Sequence, residues 1–316
     1  MTILLPSGCT LRPPVMADAQ GVADLIAARD IADYGSTDAS VEEVQNYWEA
    51  PRFDLQQDAR LIVASDGLIV GYEEVYPRSD ERLEYDGYVH PRETGRGFGT
   101  LLLRWAEERA RQRVAEMQTT GQVILRGNTA AVDQNASAMF KAEGFASVRQ
   151  FWRMEVEMTS PPDWPAWPAG ITVRAMRLEH DERVVHAVIE EAFADHWGYV
   201  PRSFEDWEQA VLQSDGFDSA LTFMAFDGHE VAGVVVNRYR DIAWVWQLAV
   251  RRAWRKRGLG LALLLHSFNE FYQRGDRAVG LGVDAQSLTG ATRLYEKAGM
   301  RVTRRVDTYE KVLRKE

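Results

Sequence analysis

The chain has 316 residues, 46% of them hydrophobic, which excludes disorder and suits two ordinary domains. Its formal charge of −10 argues against general affinity for nucleic acid or an anionic membrane, and its single cysteine, Cys9, excludes internal disulfides and cysteine-built metal sites. The opening MTILLPSG has no basic segment and is too short for a signal peptide, and no apolar run approaches the ~18 residues that span a bilayer, so a soluble, cytoplasmic protein is expected.

In chain order, TLRPPVMADAQGVADLIAARD (10–30) reads as a short strand holding Arg12, then an amphipathic helix. YVHPRETGRGFGTLLLRWAEE (88–108) reads as a strand end, a glycine loop and a helix with the apolar face Phe98, Leu101, Leu102 and Trp105. AMFKAEGFASV (138–148) is a helix closed by a glycine. TSPPDWPAWPAG (159–170) has four prolines and is expected to be a semi-rigid linker packed down by Trp164 and Trp167.

The second half says the same things again. ITVRAM is a strand containing Arg174, residues 181–194 are a helix, and SFEDWEQAV from Ser203 starts a helix with a capping box. ALTFMAFD and EVAGVVVNRY flank DGHE as a hairpin, and IAWVWQLAV is a longer apolar strand. Leu261, Leu264, Leu265 and Phe268 form the face of the next helix, AVGLGVDA is a strand, and GATRLYEKAG is a helix ended by Gly299. The echoes recur at a spacing of roughly 155–162 residues, so two copies of one domain are expected. The copies span 1–158 and 171–316, each a mixed α/β sheet flanked by helices.

Between the strand ending at Val250 and the next helix lies Arg251-Arg252-Ala253-Trp254-Arg255-Lys256-Arg257-Gly258-Leu259-Gly260. A glycine loop at a helix start exposes unpaired amides and the positive end of the helix dipole, which suits an anion. Arg255, Lys256 and Arg257 add cationic arms, so a diphosphate fits better than one carboxylate. A P-loop would need Gly-Lys-Ser/Thr, and a dinucleotide fingerprint would need a third glycine near position 263, where Leu263 stands.

Arg255-x-x-Gly258-x-Gly260 and Leu294-Tyr295-Glu296-Lys297-Ala298-Gly299-Met300 resemble the acyl-CoA loop and the downstream LYEKxGF element of the GNAT N-acetyltransferases. Both halves carry the resemblance, so the chain is similar to tandem members of that family such as the mycothiol synthases. The resemblance implies acetyl-CoA as co-substrate, a primary amine as acceptor and no metal. It implies that the pantetheine arm bonds the backbone of Leu248 and Val250, that the pyrophosphate takes the amides from Lys256 through Arg257, Gly258, Leu259 and Gly260 to Leu261, and that Tyr295 protonates the leaving thiolate. The first copy keeps Val89, Gly95, Arg96, Gly97, Phe98 and Gly99 as a second possible CoA site, but Thr94 replaces the leading Arg/Gln and Phe140 the tyrosine. The second half is therefore expected to be the catalytic one.

The central strand of the first copy carries Glu84 and Asp86, whereas the second has only Asp241 at its start, with Gln247 opposite Asp86. Other candidates for the base are Asp195 and His196 first, then Glu191 and Asp284. Tyr199, Trp246 and Gln247 are expected to wall the acceptor pocket. A CoA-binding sensor without turnover and a protein N-acetyltransferase stay open as alternatives, and the chain is expected to be a monomer or homodimer without nucleic-acid or membrane partners.

Overall fold

The computed structural model describes residues 5, 8–117, 121–214, 216–287 and 290–315. Most of MTILLPSG, and Leu288 and Thr289 ahead of the LYEKAGM element, lie outside the described residues. Among the described residues no helix is long and apolar enough to cross a membrane.

The chain forms two compact units, one of Met1–Gln150 with Arg305–Glu316, the other of Phe151–Arg304. In chain order the first half supplies β1 (Thr10–Arg12), α1 (Ala19–Tyr34), α2 (Val41–Trp48), α3 (Leu55–Asp58), β2 (Ala59–Val63), β3 (Ile69–Ser79), β4 (Arg82–Val89), α4 (Phe98–Glu116), β5 (Val123–Ala130), α5 (Gln134–Ala142) and β6 (Ala146–Glu157). The second half supplies β7 (Ile171–Ala175), α6 (Glu182–Phe193), α7 (Phe204–Val211), β8 (Phe217–Asp227), β9 (Glu230–Tyr239), β10 (Ala243–Val250), α8 (Leu259–Arg274), β11 (Ala278–Asp284), α9 (Ala291–Lys297) and β12 (Arg301–Arg314).

The sheet of the first unit runs β1-β2-β3-β4-β5-β12, and that of the second runs β7-β8-β9-β10-β11-β6. Among the described residues β4–β5 and β10–β11 are registered as parallel pairs, and the other registered pairs are antiparallel. The last strand of each half thus serves the other unit: Val306 to Arg314 pair with β5, and Phe151 to Glu157 pair with β11. The boundaries 1–158 and 171–316 do not coincide with these units, because strand pairing over such sequence distances leaves no local pattern to read.

Local chemistry sets the ends of the helices. Ser40, Asp133 and Ser203 accept bonds from Glu43, Ala136 and Asp206 amides at 3.1, 3.0 and 3.0 Å, capping α2, α5 and α7. Gly299 at φ +88° ends α9, and the Met300 amide returns to the Tyr295 carbonyl at 3.0 Å. Two helices cover one face of the second sheet: Val185, Val188 and Ile189 of α6 and Trp207 of α7 pack with Val234, Val236 and Ala249. On the other face Leu259, Leu263, Leu264 and Phe268 of α8 pack with Val235, Val245 and Leu281. That stripe is shifted from the expected one, since Leu261 and Leu265 are only half-buried. In the 159–170 segment Trp167 packs on His266 with ring centroids 5.6 Å apart, while Trp164 remains 75% exposed. The expected anchoring therefore falls to one tryptophan alone.

Candidate active site

In the second unit the parallel ladder between β10 and β11 is registered only at Ala243 with Val279 and Trp244 with Gly280. Both strands continue, β10 to Val250 and β11 to Asp284, so a cleft opens between them. At the parting point β10 carries a bulge: Val245 pairs with Asn237 and Gln247 with Val236, leaving Trp246 as the extra residue. The bulge turns consecutive side chains toward α6 and α7. Trp246 packs in that core beneath the Arg238 guanidinium, 3.5 Å above its ring, and Gln247 accepts a bond from Trp207 Nε1 at 3.4 Å. Leu248 and Val250 face the α8 side. A β-carbon built on Gly282, across the cleft, would meet nothing within 4 Å.

Beyond Val250 the backbone makes a short 3-10 turn at Arg252–Trp254. Arg255 is then extended, Lys256 is left-handed at φ +63°, and Gly258 is left-handed at φ +86°. Helix α8 begins at Leu259, and its first internal bond runs from the Ala262 amide to the Gly258 carbonyl at 3.1 Å. The amides of Leu259, Gly260 and Leu261 precede that bond, and Gly258 has no side chain to cap them. These are amides of the loop for which the sequence predicts an anion. Leu294 of α9 stands over Gly260, where an added β-carbon would lie 3.0 Å from it.

The basic run divides into two groups. Arg251 reaches Glu191 at 2.7 Å, and Arg252 grips Asp195 through bonds of 2.6 and 3.2 Å. Arg255 bonds the Val250 carbonyl at 3.1 Å and the Ala192 carbonyl at 3.0 Å, and its third nitrogen lies 3.5 Å from Asp195. Three arginines therefore neutralise the carboxylates and carbonyl at the C-terminal end of α6, where cations are favoured by the helix dipole. Arg255, expected as one of three cationic arms, is engaged here with Val250, Ala192 and Asp195. Lys256 is exposed, and Arg257, 58% exposed, lies 3.9 Å from Asp227.

Among the base candidates, Asp195 is held as an anion below the usual carboxylate range, chiefly by its bonds from Arg252. It is a poor proton acceptor. Desolvation and then the Arg255 charge lower the His196 imidazole, against the pull of Asp284 and Asp195, so the ring is neutral at pH 7. That ring lies 4.4 Å from Phe193. Glu191 is bound to Arg251. Tyr295 is half-buried on α9 against the α8 core, and desolvation pushes its phenol up to about 12, keeping it protonated. Tyr199 packs on Phe193 at 6.2 Å and donates its hydroxyl to Glu190, a residue the sequence reading missed. The i, i+4 spacing of His186 and Glu190, which lie 3.7 Å apart, is the sequence signal that could have found it.

The first unit repeats the loop but not the cleft. Gly95 and Gly97 are left-handed at φ +84° and +83°, and the Leu101 amide bonds the Gly97 carbonyl at 3.0 Å. Arg96, however, pairs with Glu93, and Met139 sulfur would lie 3.0 Å from a β-carbon on Gly99. The β4–β5 ladder runs two pairs further than its counterpart, through Glu84 with Arg126 and Tyr85 with Gly127. From Gly71–Val89 to Pro77–Leu83 the pairing of β3 with β4 has no bulge. Tyr85 consequently turns toward α4 and α5, and its hydroxyl would lie 2.0 Å from a β-carbon on Gly87. Phe140 stacks on Tyr309 at 4.8 Å and meets Tyr85 edge-on at 6.2 Å, closing the space. Of the carboxylates there, Glu84 pairs with Arg82 and Arg126 at 3.0 and 3.7 Å, and Asp86 accepts from the Tyr76 hydroxyl at 3.2 Å.

Comparison with known proteins gives concordant matches. The family model described as "Acetyltransferase (GNAT) family" matches residues 28–141 and 182–300. A protein of Kineococcus radiotolerans named mycothiol acetyltransferase is 31% identical over 304 residues, covering 93% of this chain and 94% of that one. One of the same name from Thermomonospora curvata is 33% identical over 243 residues, covering 76% and 77%. The crystal structure of a GCN5-related N-acetyltransferase from Sphaerobacter thermophilus superposes with a TM-score of 0.88 at 39% identity, covering 98% of both chains. A tandem GNAT protein from the clavulanic acid biosynthesis pathway shares the fold, with a TM-score of 0.72 at 17% identity over 98% of this chain and 99% of that one.

Proposed function

The chain belongs to the GNAT family of N-acetyltransferases, and from that premise we propose that its second unit moves an acetyl group from acetyl-CoA to a primary amine of a small molecule. The observation that carries this reading is the two-residue β10–β11 ladder, which opens at the Trp246 bulge beside the uncapped start of α8. The diphosphate would take the amides of 256–261 with Lys256 and Arg257. The pantetheine arm would lie along Leu248 and Val250, with its thioester near the bulge.

The reaction then needs three things of the protein. The amine must be neutral: an alkyl ammonium with pKa ~10.4 is well under 1% deprotonated at pH 7, and β10 offers no carboxylate to take its proton. His196 is neutral and serves as the acceptor, assisted by desolvation of the amine against Trp246 and Tyr199. Attack on the thioester carbonyl creates an oxyanion, which a backbone N–H of β10 stabilises. As the C–S bond breaks, Tyr295 gives its proton to the thiolate. The first unit takes no acyl-CoA arm in this reading. Its two extra ladder pairs shorten the cleft by roughly 7 Å, at about 3.3 Å per residue, and Tyr85 and Phe140 fill the rest.

The curated relatives carry the name mycothiol acetyltransferase, so a cysteinyl amino-sugar conjugate heads the panel of amines. Thiol release from acetyl-CoA with that panel, by wild type and Tyr295→Phe, tests the reading. Release that disappears in the variant supports it. CoA binding with no release from any amine supports the second reading, a sensor, which Gln247 in place of a strand carboxylate favours.

A further inference from the structure

Residues 194–203 join α6 to α7, and His196 sits between two anchors. On its N-terminal side Asp195 is gripped by Arg252 at 2.6 and 3.2 Å and approached by Arg255 at 3.5 Å. Both arginines belong to the loop leaving the end of β10. On its C-terminal side the Trp197 ring lies 6.3 Å from Phe151. Phe151 is paired across the ladder with Asp284, the last residue of β11.

Because β10 and β11 part after Trp244 and Gly280, their C-terminal ends are the two lips of the cleft. Asp195 is tied to the loop leaving the β10 lip, and Trp197 meets Phe151 of β6, the strand paired behind the β11 lip, so the chain between them runs from one side of the opening to the other. His196 lies on that stretch. Its amide bonds the Phe193 carbonyl at 2.8 Å, and Arg255 holds the Ala192 carbonyl at 3.0 Å, so the approach to the strap is fixed from the same loop.

We infer that Asp195 is a positioning residue: through Arg252 and Arg255 it fastens the His196 strap to the diphosphate loop, so that filling the loop fixes the imidazole over the cleft. This rests on the reading of the second unit as the site of transfer. The Asp195–Arg252 pair is 42% and 60% exposed, so by itself it stabilises little. Its consequence is geometric. Five cations in seven residues repel one another while the loop is empty, and Asp195 is the counter-charge that two of them share. A bound diphosphate orders the 256–261 amides and brings Arg255 and Arg252, at the root of the same loop, to rest. The carboxylate carries that order across to residue 196.

Hydrogen exchange of the full chain with coenzyme A as the probe tests the link. In wild type, CoA is expected to slow exchange at 256–264 and at 194–200, each at least fivefold. In Asp195→Asn the slowing at 256–264 stays within twofold of wild type, while that at 194–200 drops to less than half; Asp195→Glu restores it. Arg252→Gln, at an exposed position where folding is not at risk, is expected to behave as Asp195→Asn does. Protection at 194–200 that survives in both variants, or that is missing from wild type while 256–264 is protected, overturns the inference. Missing protection at 256–264 in wild type instead overturns the functional reading beneath it.

Discussion

Tyr295 and His196 divide the proton traffic by environment. The phenol is held protonated, near 12, by desolvation, and the imidazole is held neutral because burial and Arg255 lower it from its ordinary value. As the acceptor, His196 must be deprotonated, so kcat/KM is expected to rise with pH through an inflection below 6.5 and to be level across neutrality. His196→Gln is expected to remove that inflection and cost about 10²-fold, the usual scale of a lost general base. Tyr295→Phe is expected to lower kcat by a similar ~10² while the CoA dissociation constant from calorimetry stays within threefold. Lys256 makes a different case. Its φ of +63° is one that Gly95 adopts freely at the corresponding place in the first unit. Lys256→Gly is expected to stabilise the fold by about 1 kcal/mol in denaturant unfolding, yet to weaken CoA binding, since it removes one of two arms over the diphosphate.

Strands and loops show how far one sequence motif constrains its element. The Gly-x-Gly loops, the Ser203 cap and the Gly299 stop were all legible, because each is a local rule written in adjacent residues. The bulge was not legible. It is a slip of one residue against β9, and the apolar run Ala243 to Val250 reads the same with or without it. Yet this slip distinguishes the two units, sending Trp246 to the α6 and α7 side while Tyr85 turns toward α4 and α5. The partners of the arginines were not legible for a related reason, since Asp195 and the Ala192 carbonyl are groups that only the folded chain brings near. On this account calorimetry is expected to give one acetyl-CoA per chain, and Phe140→Tyr is expected to leave that stoichiometry unchanged. Two sites per chain would mean that Tyr85 yields.

The interior of the first unit holds three buried carboxyl groups, Glu73, Glu74 and Glu84. Glu74 stands directly across from Asp86, and burial with that neighbouring charge pushes the Glu74 carboxyl up to about 8. Burial also raises Glu84 to about 7, and Glu73 is buried with neither oxygen bonded. In the unfolded chain such groups lose their protons near 4.5, so the folded unit retains protons that the unfolded chain releases. Stability is therefore expected to fall as pH rises from about 4.5 to 8 and to level off above, by up to about 8 kcal/mol at about 1.4 kcal/mol per pKa unit. Unfolding of Glu74→Gln across that range is expected to show a flatter profile.

At the scale of the whole molecule the two halves cannot be separated where the prolines suggest. Strand β11 takes Phe151 to Glu157 as its neighbour, and β5 takes Val306 to Arg314. A fragment of residues 171–316 lacks the first of these, so one side of β11 loses its ladder, and it carries a terminal strand whose partner is missing. Residues 151–304 contain the whole second unit as the contacts define it. The 151–304 fragment is therefore expected to fold cooperatively and bind CoA, whereas 171–316 is expected to aggregate through its unpaired strand edges. Removing residues 305–316 from the full chain completes the test. That cut falls in the half that carries the Gly258–Gly260 loop, yet its cost is expected in the first unit, where Tyr309 leaves the stack on Phe140. Hydrogen exchange should then rise throughout β4 and β5 while the 256–264 segment keeps its protection by CoA; loosening of that segment instead would mean that the strands are not exchanged in solution.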